Sequence, residues 1–166
     1  MAAYEPIRKL ADADMVDAYD CGHKALNQYL QRFALSSQKA HGAQTYFCTC
    51  AGVLVGYYSL VVCSVEPASA PARVSRGMPK HPVPVMVMAR LAVDLHHQRA
   101  GLGKALLKDA LMRTAQAADI AGIRAVLVHA KDDAARNWYL QWEFESSVTD
   151  PFHLFLLMKD LKALIR

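Results

Sequence analysis

Gln98-Arg99-Ala100-Gly101-Leu102-Gly103-Lys104-Ala105 lies between an apolar run and a segment of helical spacing, and its reading decides the fold. Two glycines let the backbone come close to an anion, and the N–H groups that open the next helix have no partners inside that helix. Arg99 and Lys104 place positive charge beside them. Two other phosphate loops are excluded by position. A dinucleotide fingerprint of the form G-x-G-x-x-G starting at Gly101 needs a third glycine where Leu106 stands. A Walker loop needs a glycine where Gln98 stands and a hydroxyl where Ala105 stands. The pattern that remains, Q-x-x-G-x-G, reads as an anion cradle at the start of a helix.

Upstream of the cradle, Val85 to Val93 is apolar on both alternating faces apart from Arg90, as expected of a strand covered from both sides. Downstream, Leu106, Leu107, Ala110, Leu111, Thr114 and Ala118 trace one side of a helix, while Lys104, Lys108 and Arg113 point elsewhere. Ile123 to His129 follows as another buried strand. Strand, glycine loop, helix and strand in this order predict a βαβ unit whose two strands run parallel. Asp132-Asp133 opens a further helix, where negative charge suits the positive end of the dipole. On it Ala134, Trp138 and Trp142 line up one way, Ala135 and Tyr139 the other. Phe152 to Met158 closes the sheet before a basic tail ending at Arg166.

On the N-terminal side, Tyr4 to Leu10 reads as an edge strand and Ala11 to Asp20 as a helical turn or two. His23 to Lys39 is an amphipathic helix, with Leu26, Tyr29, Leu30, Phe33 and Ser37 on one face and Lys24, Gln28 and Arg32 on the other. Thr45 to Cys50 and Val53 to Val65, separated by Ala51-Gly52, form an antiparallel hairpin in which Gly56 marks a bulge. Glu66 to Pro84 holds five of the seven prolines together with Arg73, Arg76, Lys80 and His81, and no regular element fits it. A structureless connection of this length inside a compact domain is commonly functional or mobile. The predicted class is α/β (α+β): a mixed central sheet of about six to seven strands flanked by about four helices.

A chain of 166 residues, 54% hydrophobic and 20% charged, buries one sizeable core, so residues 1–166 read as one domain. The start, Met1 to Arg8, offers no apolar stretch of the kind a secretory signal requires. Ala51 to Val65, the longest mostly apolar run, is shorter than the ~20 residues of a membrane helix and carries Gly52, Gly56, Ser59 and Ser64. Cys21, Cys48, Cys50 and Cys63 form no C-x-x-C pair, and none of the seven histidines completes a zinc site with them. The expectation is a cytoplasmic protein with reduced core thiols and no metal.

The net charge of +4 matters less than its distribution. Between Cys21 and Val93 the only acidic residue is Glu66, while Lys24, Arg32, Lys39, Arg73, Arg76, Lys80 and Arg90 are all basic. That half carries a positive field suited to a polyanion, for which Lys39, Arg73, Arg76, Lys80 and Arg90 are the candidate contacts.

Over nearly its whole length the chain resembles the GNAT superfamily of N-acetyltransferases, through Arg90-Leu91-Ala92-Val93-Asp94, the Gln98 to Gly103 cradle and the Asn137-Trp138-Tyr139 helix. A narrower resemblance, to the TacT and AtaT group of GNAT toxins in bacterial toxin–antitoxin pairs, rests on several segments in the same order. These are Cys21-Gly22 before a Leu-x-x-Tyr-Leu helix, Val55-Gly56-Tyr57-Tyr58, Pro82-Val83-Pro84-Val85, Leu127-Val128-His129-Ala130-Lys131 and Asp150-Pro151-Phe152-His153-Leu154-Phe155. The chain departs from that group at Glu143, where relatives commonly have glycine, and at His96-His97, where an aromatic is usual.

The resemblance implies acetyl-CoA as cofactor, the α-amine of aminoacyl-tRNA as acceptor, a ribbon-helix-helix antitoxin as partner and a homodimer. It further implies that Gln98, Arg99, Ala100, Gly101, Leu102, Gly103 and Lys104 hold the pyrophosphate. Leu91, Ala92, Val93 and Asn137 hold the pantetheine arm, and Tyr139 protonates the departing thiolate. The strand before the cradle carries no glutamate to act as a base. An α-amine titrates near ~8 against ~10.4 for lysine, so the proposed acceptor is already partly neutral and nucleophilic. Asp94, His96 and His97 are the remaining candidates for a base acting through water. Two other readings stay open. A housekeeping acetyltransferase for a small amine or a protein N-terminus would have no need of the acid-poor half, and a catalytically idle binding module would have no need of Gln98, Gly101, Gly103 and Tyr139.

Overall fold

The computed structural model describes residues 3–166. Seven strands run in the order β1-β2-β3-β4-β5-β7-β6. They are β1 (Arg8–Lys9), β2 (Gln44–Cys50), β3 (Val53–Val65), β4 (Val83–Val93), β5 (Ala125–His129), β6 (Glu145–Ser146) and β7 (His153–Leu157). Helices are α1 (Lys24–Gln28), α2 (Ala34–Lys39), α3 (Ala72–Ser75), α4 (Leu102–Ala118), α5 (Asp133–Leu140) and α6 (Met158–Leu164). The chain divides into two compact units: residues up to Val61 with Ala89–Ala110, and Val62–Met88 with Leu111–Arg166.

In the first unit β1, β2 and β3 form an antiparallel meander, with Arg8 opposite Phe47 and Tyr46 opposite Tyr58. Cys48 pairs with Gly56 but Thr49 with Leu54, so Val55 is the extra residue of a bulge beside Gly56. Gly56 has a second reason to be glycine. A Cβ there would lie 2.9 Å from Leu106 and 3.3 Å from both Leu102 and the Ala92 carbonyl oxygen, so only a bare backbone lets the start of α4 pack so closely. Leu10, Tyr19, Cys21, Tyr29, Leu30, Ala34, Phe47, Leu54, Tyr57 and Ala92 make one buried cluster.

The first helical region departs from the predicted single helix. Between α1 and α2 the residues Tyr29–Phe33 form a π-turn, which shifts the inward-facing position by one residue. Ala34 is therefore fully buried while Phe33, expected in the core, is 55% exposed. Ala11 to Asp20, expected as helical turns, forms no helix. The carboxylate of Asp14 accepts from the Ala11 N–H and from Arg8, closing a turn instead.

In the second unit β4 and β5 run parallel, Val85 opposite Ala125 to Met88 opposite Val128, as the βαβ pattern required. β7 lies antiparallel to β5 and pairs on its other side with β6. The proline-rich connection, expected to hold no regular element, contains a 3-10 turn at Pro67–Ser69 and the short α3. Arg124 fixes it, donating from Nε to the Val74 carbonyl at 2.9 Å and from Nη2 to the Arg73 and Arg76 carbonyls at 3.3 and 3.1 Å. The Ser147 hydroxyl donates to the Ser69 carbonyl. The basic tail forms a helix, α6, whose Leu161 is fully buried. Cys63, expected in the core, is exposed, whereas Cys21 and Cys48 are buried. No helix among the described residues is long and apolar enough to cross a membrane.

Candidate active site

The cradle grows out of the end of β4. The Asp94 N–H donates to the Val55 carbonyl at 2.8 Å, and the Asp94 carboxylate caps the turn Leu95–His97 by accepting from the His96 N–H at 2.9 Å. The chain then reverses through two left-handed residues, Arg99 at φ 64° and Gly101 at φ 86°. Such alternating turns aim successive N–H groups at one point, which is how short loops grip anions. α4 begins at Leu102, whose buried side chain anchors the first turn while Gly101, Lys104 and Ala105 stay exposed. A Cβ on Gly101 would meet nothing within 4 Å, so glycine is required there by conformation and the space in front of it is open. Helix N–H groups, a positive dipole end and two cationic side chains make a donor set that matches a diphosphate.

Two further contacts steady this loop. The Tyr4 hydroxyl is hydrogen-bonded to His97 Nδ1 at 3.1 Å, with the two rings edge to face. Gln98 Nε2 donates to the Cys21 carbonyl at 3.1 Å and to the Val93 carbonyl at 3.0 Å. Beside the loop lies a cavity of about 250 Å3, lined among others by Tyr4, Ile7, Cys48, Gly101, Leu102 and Ala105. Sequence reading missed Tyr4 and Cys21 as supports, because neither belongs to the local pattern. Leu91, Ala92 and Val93 form the end of β4, with Ala92 buried and the other two partly exposed.

The remaining candidates belong to different settings. Arg90 lies on β4 with its guanidinium 3.5 Å from the centroid of the Tyr29 ring. That ring is stacked on Tyr57, whose hydroxyl donates to the Leu26 carbonyl at 2.7 Å. Lys39 is ion-paired with Asp12 at 2.7 Å. Arg73 is ion-paired with Asp160 at 2.8 Å, while Arg76 and Lys80 are exposed.

In the second unit α5 starts where Asp132 caps it, accepting from the Ala135 N–H at 2.8 Å. Arg136 braces it by donating to the Pro151 carbonyl at 2.8 Å and the Ser146 hydroxyl at 3.1 Å. Asn137 is exposed. Tyr139 is buried, its ring 5.0 Å from Trp138 and 5.4 Å from Phe144. Burial pushes its phenol well above the usual tyrosine range. Glu143, where relatives commonly carry glycine, has φ 71°, the left-handed conformation that favours glycine. Among the described residues no three histidine, cysteine or acidic side chains come together as metal ligands.

An acetyltransferase (GNAT) domain model matches residues 41–146, and the chain belongs to the GNAT acetyltransferase family. Acetyl-CoA is accordingly its cofactor. Within the family, the tRNA-acetylating toxin of Mycobacterium tuberculosis is 49% identical over 166 residues, with 99% of each chain covered. The solved structure of AtaT complexed with acetyl-methionyl-tRNAfMet is 26% identical, with a TM-score of 0.89 over 99% of this chain and 100% of that one. A tyrosine-to-phenylalanine variant of AtaT, bound to acetyl-CoA and the C-terminus of the antitoxin AtaR, is 25% identical with a TM-score of 0.82, over 98% of this chain and 97% of that one.

Proposed function

We propose that the chain is an acetyl-CoA-dependent toxin of a toxin–antitoxin pair, which acetylates the α-amine of aminoacyl-tRNA and so blocks translation. The observation that carries this reading is full-length similarity, 49% identical, to a tRNA-acetylating toxin. Arg99 to Lys104 hold the pyrophosphate on backbone N–H groups, while the backbone of Leu91, Ala92 and Val93 and the Asn137 side chain hold the pantetheine arm. Acetyl-CoA supplies the acetyl group and departs as coenzyme A thiol. Tyr139 holds a proton at its phenol oxygen for that departure, and burial keeps the phenol protonated throughout the physiological range.

The acceptor needs no strong base, because an α-amine near ~8 is partly neutral at cellular pH whereas a lysine at ~10.4 is not. The acid-poor half of the chain meets the RNA backbone. Lys39 and Arg73 are already ion-paired and Arg90 is stacked on Tyr29, so the exposed Arg76 and Lys80 carry the larger share of that contact. In the cell the protein is a cytoplasmic homodimer held in check by a ribbon-helix-helix antitoxin.

Expression of the chain in bacteria without an antitoxin tests this reading. Growth arrest is expected, and Tyr139→Phe relieves it by lowering kcat on the order of 10²–10³-fold while coenzyme A affinity changes little. Harmless expression of the unaltered protein would contradict the proposal.

A further inference from the structure

The first residue of the cradle pattern has a role distinct from those that follow it. A carboxamide nitrogen has two hydrogens, and Gln98 Nε2 has two acceptors, the carbonyls of Cys21 at 3.1 Å and Val93 at 3.0 Å. Exchanging the amide oxygen and nitrogen would set Oε1 against two carbonyl oxygens, so the hydrogen-bonding chemistry fixes this orientation. What remains of the carboxamide is Oε1, an acceptor, which offers a phosphate oxygen nothing.

The segment that Gln98 reaches is itself tied together. The Leu95 N–H donates to the Asp20 carbonyl at 2.9 Å, and the Leu95 side chain comes within 2.9 Å of where a Cβ on Gly22 would stand. The Asp20 carboxylate accepts from the Gly22 N–H and from Asn27 Nδ2, each at 2.9 Å, and these bonds hold its pKa below the usual carboxylate range. Asn27 Oδ1 in turn accepts from the Cys21 N–H at 2.9 Å. Asn27 lies on α1, so an unbroken series of hydrogen bonds runs from the cradle to the first helix. Along its path lies an open cavity of about 480 Å3, lined by Asp20, Gly22, Lys24, Asn27, Gln31 and Arg32 among others.

We infer that Gln98 is a positioning residue: its carboxamide joins the cofactor loop to the Asp20–Asn27 turn, so that filling the cradle orders the start of α1. The inference rests on the cradle as the coenzyme A site and not on the identity of the acceptor. Its two bonds are partly exposed to solvent, which limits the effect of losing them.

Amide hydrogen exchange and calorimetry on the full chain, with and without coenzyme A, test it. In the unaltered protein coenzyme A slows exchange at Cys21, Gly22 and Leu95. In Gln98→Met, which keeps the volume and removes both donors, those amides exchange about 3–10-fold faster and no longer respond to coenzyme A. The dissociation constant stays within about threefold, a change of under 1 kcal/mol. Asn27→Leu breaks the same series at its far end, away from the cradle, and reads the same exchange should Gln98→Met fail to fold. A loss of about tenfold or more in coenzyme A affinity with exchange at Cys21 and Leu95 unaltered would make Gln98 a phosphate ligand and overturn the inference. Unaltered exchange in both variants would overturn it as well.

Discussion

The loop from Asp94 to Gly101 and the connection from Glu66 to Pro82 are held in opposite ways. The first takes its shape from its own backbone, through an aspartate cap and two left-handed residues, with ties to Tyr4, Asp20 and Cys21 at its flanks. The second is shaped by distant side chains, with Arg124 gathering three carbonyls, Ser147 taking a fourth and Asp160 holding Arg73. A loop that binds a ligand through its backbone must keep polar groups available, whereas a loop whose carbonyls are already bonded can offer only its exposed side chains. The cradle therefore selects by shape, and the proline-rich connection contributes charge alone.

The largest expected effect breaks the anchored loop. Arg124→Met removes the donors of three carbonyls and should lower the unfolding free energy by about 2–4 kcal/mol in urea titration, with coenzyme A affinity unchanged. Loss of cofactor binding in step with stability would mean that the two loops are not held independently.

The converse change strikes the cradle. Gly101 is left-handed with open space around it, so Gly101→Val meets backbone strain rather than a clash. The strain is about 1–2 kcal/mol, and coenzyme A should bind about tenfold more weakly in calorimetry. Unchanged affinity would remove the cradle's geometry from cofactor recognition.

A double substitution bears on the charge of the proline-rich connection. Neutralising Arg76 and Lys80 should reduce the slope of log affinity for tRNA against log salt by about 1–2, and neutralising the ion-paired Arg73 by less than about 1. Equal effects at all three would show that the bond to Asp160 does not hold Arg73 back.

The smallest effect concerns the second unit, to which the anchored loop belongs. His129 is stacked on His153 at 4.2 Å, and partial burial followed by that neighbour holds its pKa below the usual histidine value. The unfolded chain then takes up the proton first, so stability present above about pH 6.5 falls as the pH drops, until His129 protonates in the fold as well. The loss is at most about 0.5 kcal/mol, because His129 keeps part of its surface in solvent. His129→Gln should flatten the difference between urea midpoints at pH 7.5 and 5.5, and an undiminished difference would assign it to other groups.

What the sequence made legible follows the same division between local and distant causes. β4, the glycine loop, α4 and β5 were readable as elements because glycine spacing and apolar periodicity are local, and Leu106, Leu107, Ala110, Leu111 and Thr114 are all buried as the spacing required. The hairpin and its bulge were readable from Ala51-Gly52 and Gly56, although the close approach of α4 to Gly56 was not. α3 was hidden because Arg124 lies far along the chain from the carbonyls it gathers. The π-turn at Tyr29–Phe33 moved Phe33 outward through a one-residue shift that helical spacing cannot register. The tie from Gln98 to Cys21 spans 77 positions, and no local motif marks the carbonyl it uses.

On the proposed reaction the acetyl group goes to the α-amine of an amino acid esterified to tRNA. Mass spectrometry of charged and uncharged tRNA, incubated with the protein and acetyl-CoA, tests it most directly. The prediction is N-acetyl-aminoacyl-tRNA from the charged pool, none from the uncharged pool, and none with Tyr139→Phe on the same timescale. Unmodified aminoacyl-tRNA under conditions where the protein acetylates small amines or protein N-termini would contradict it.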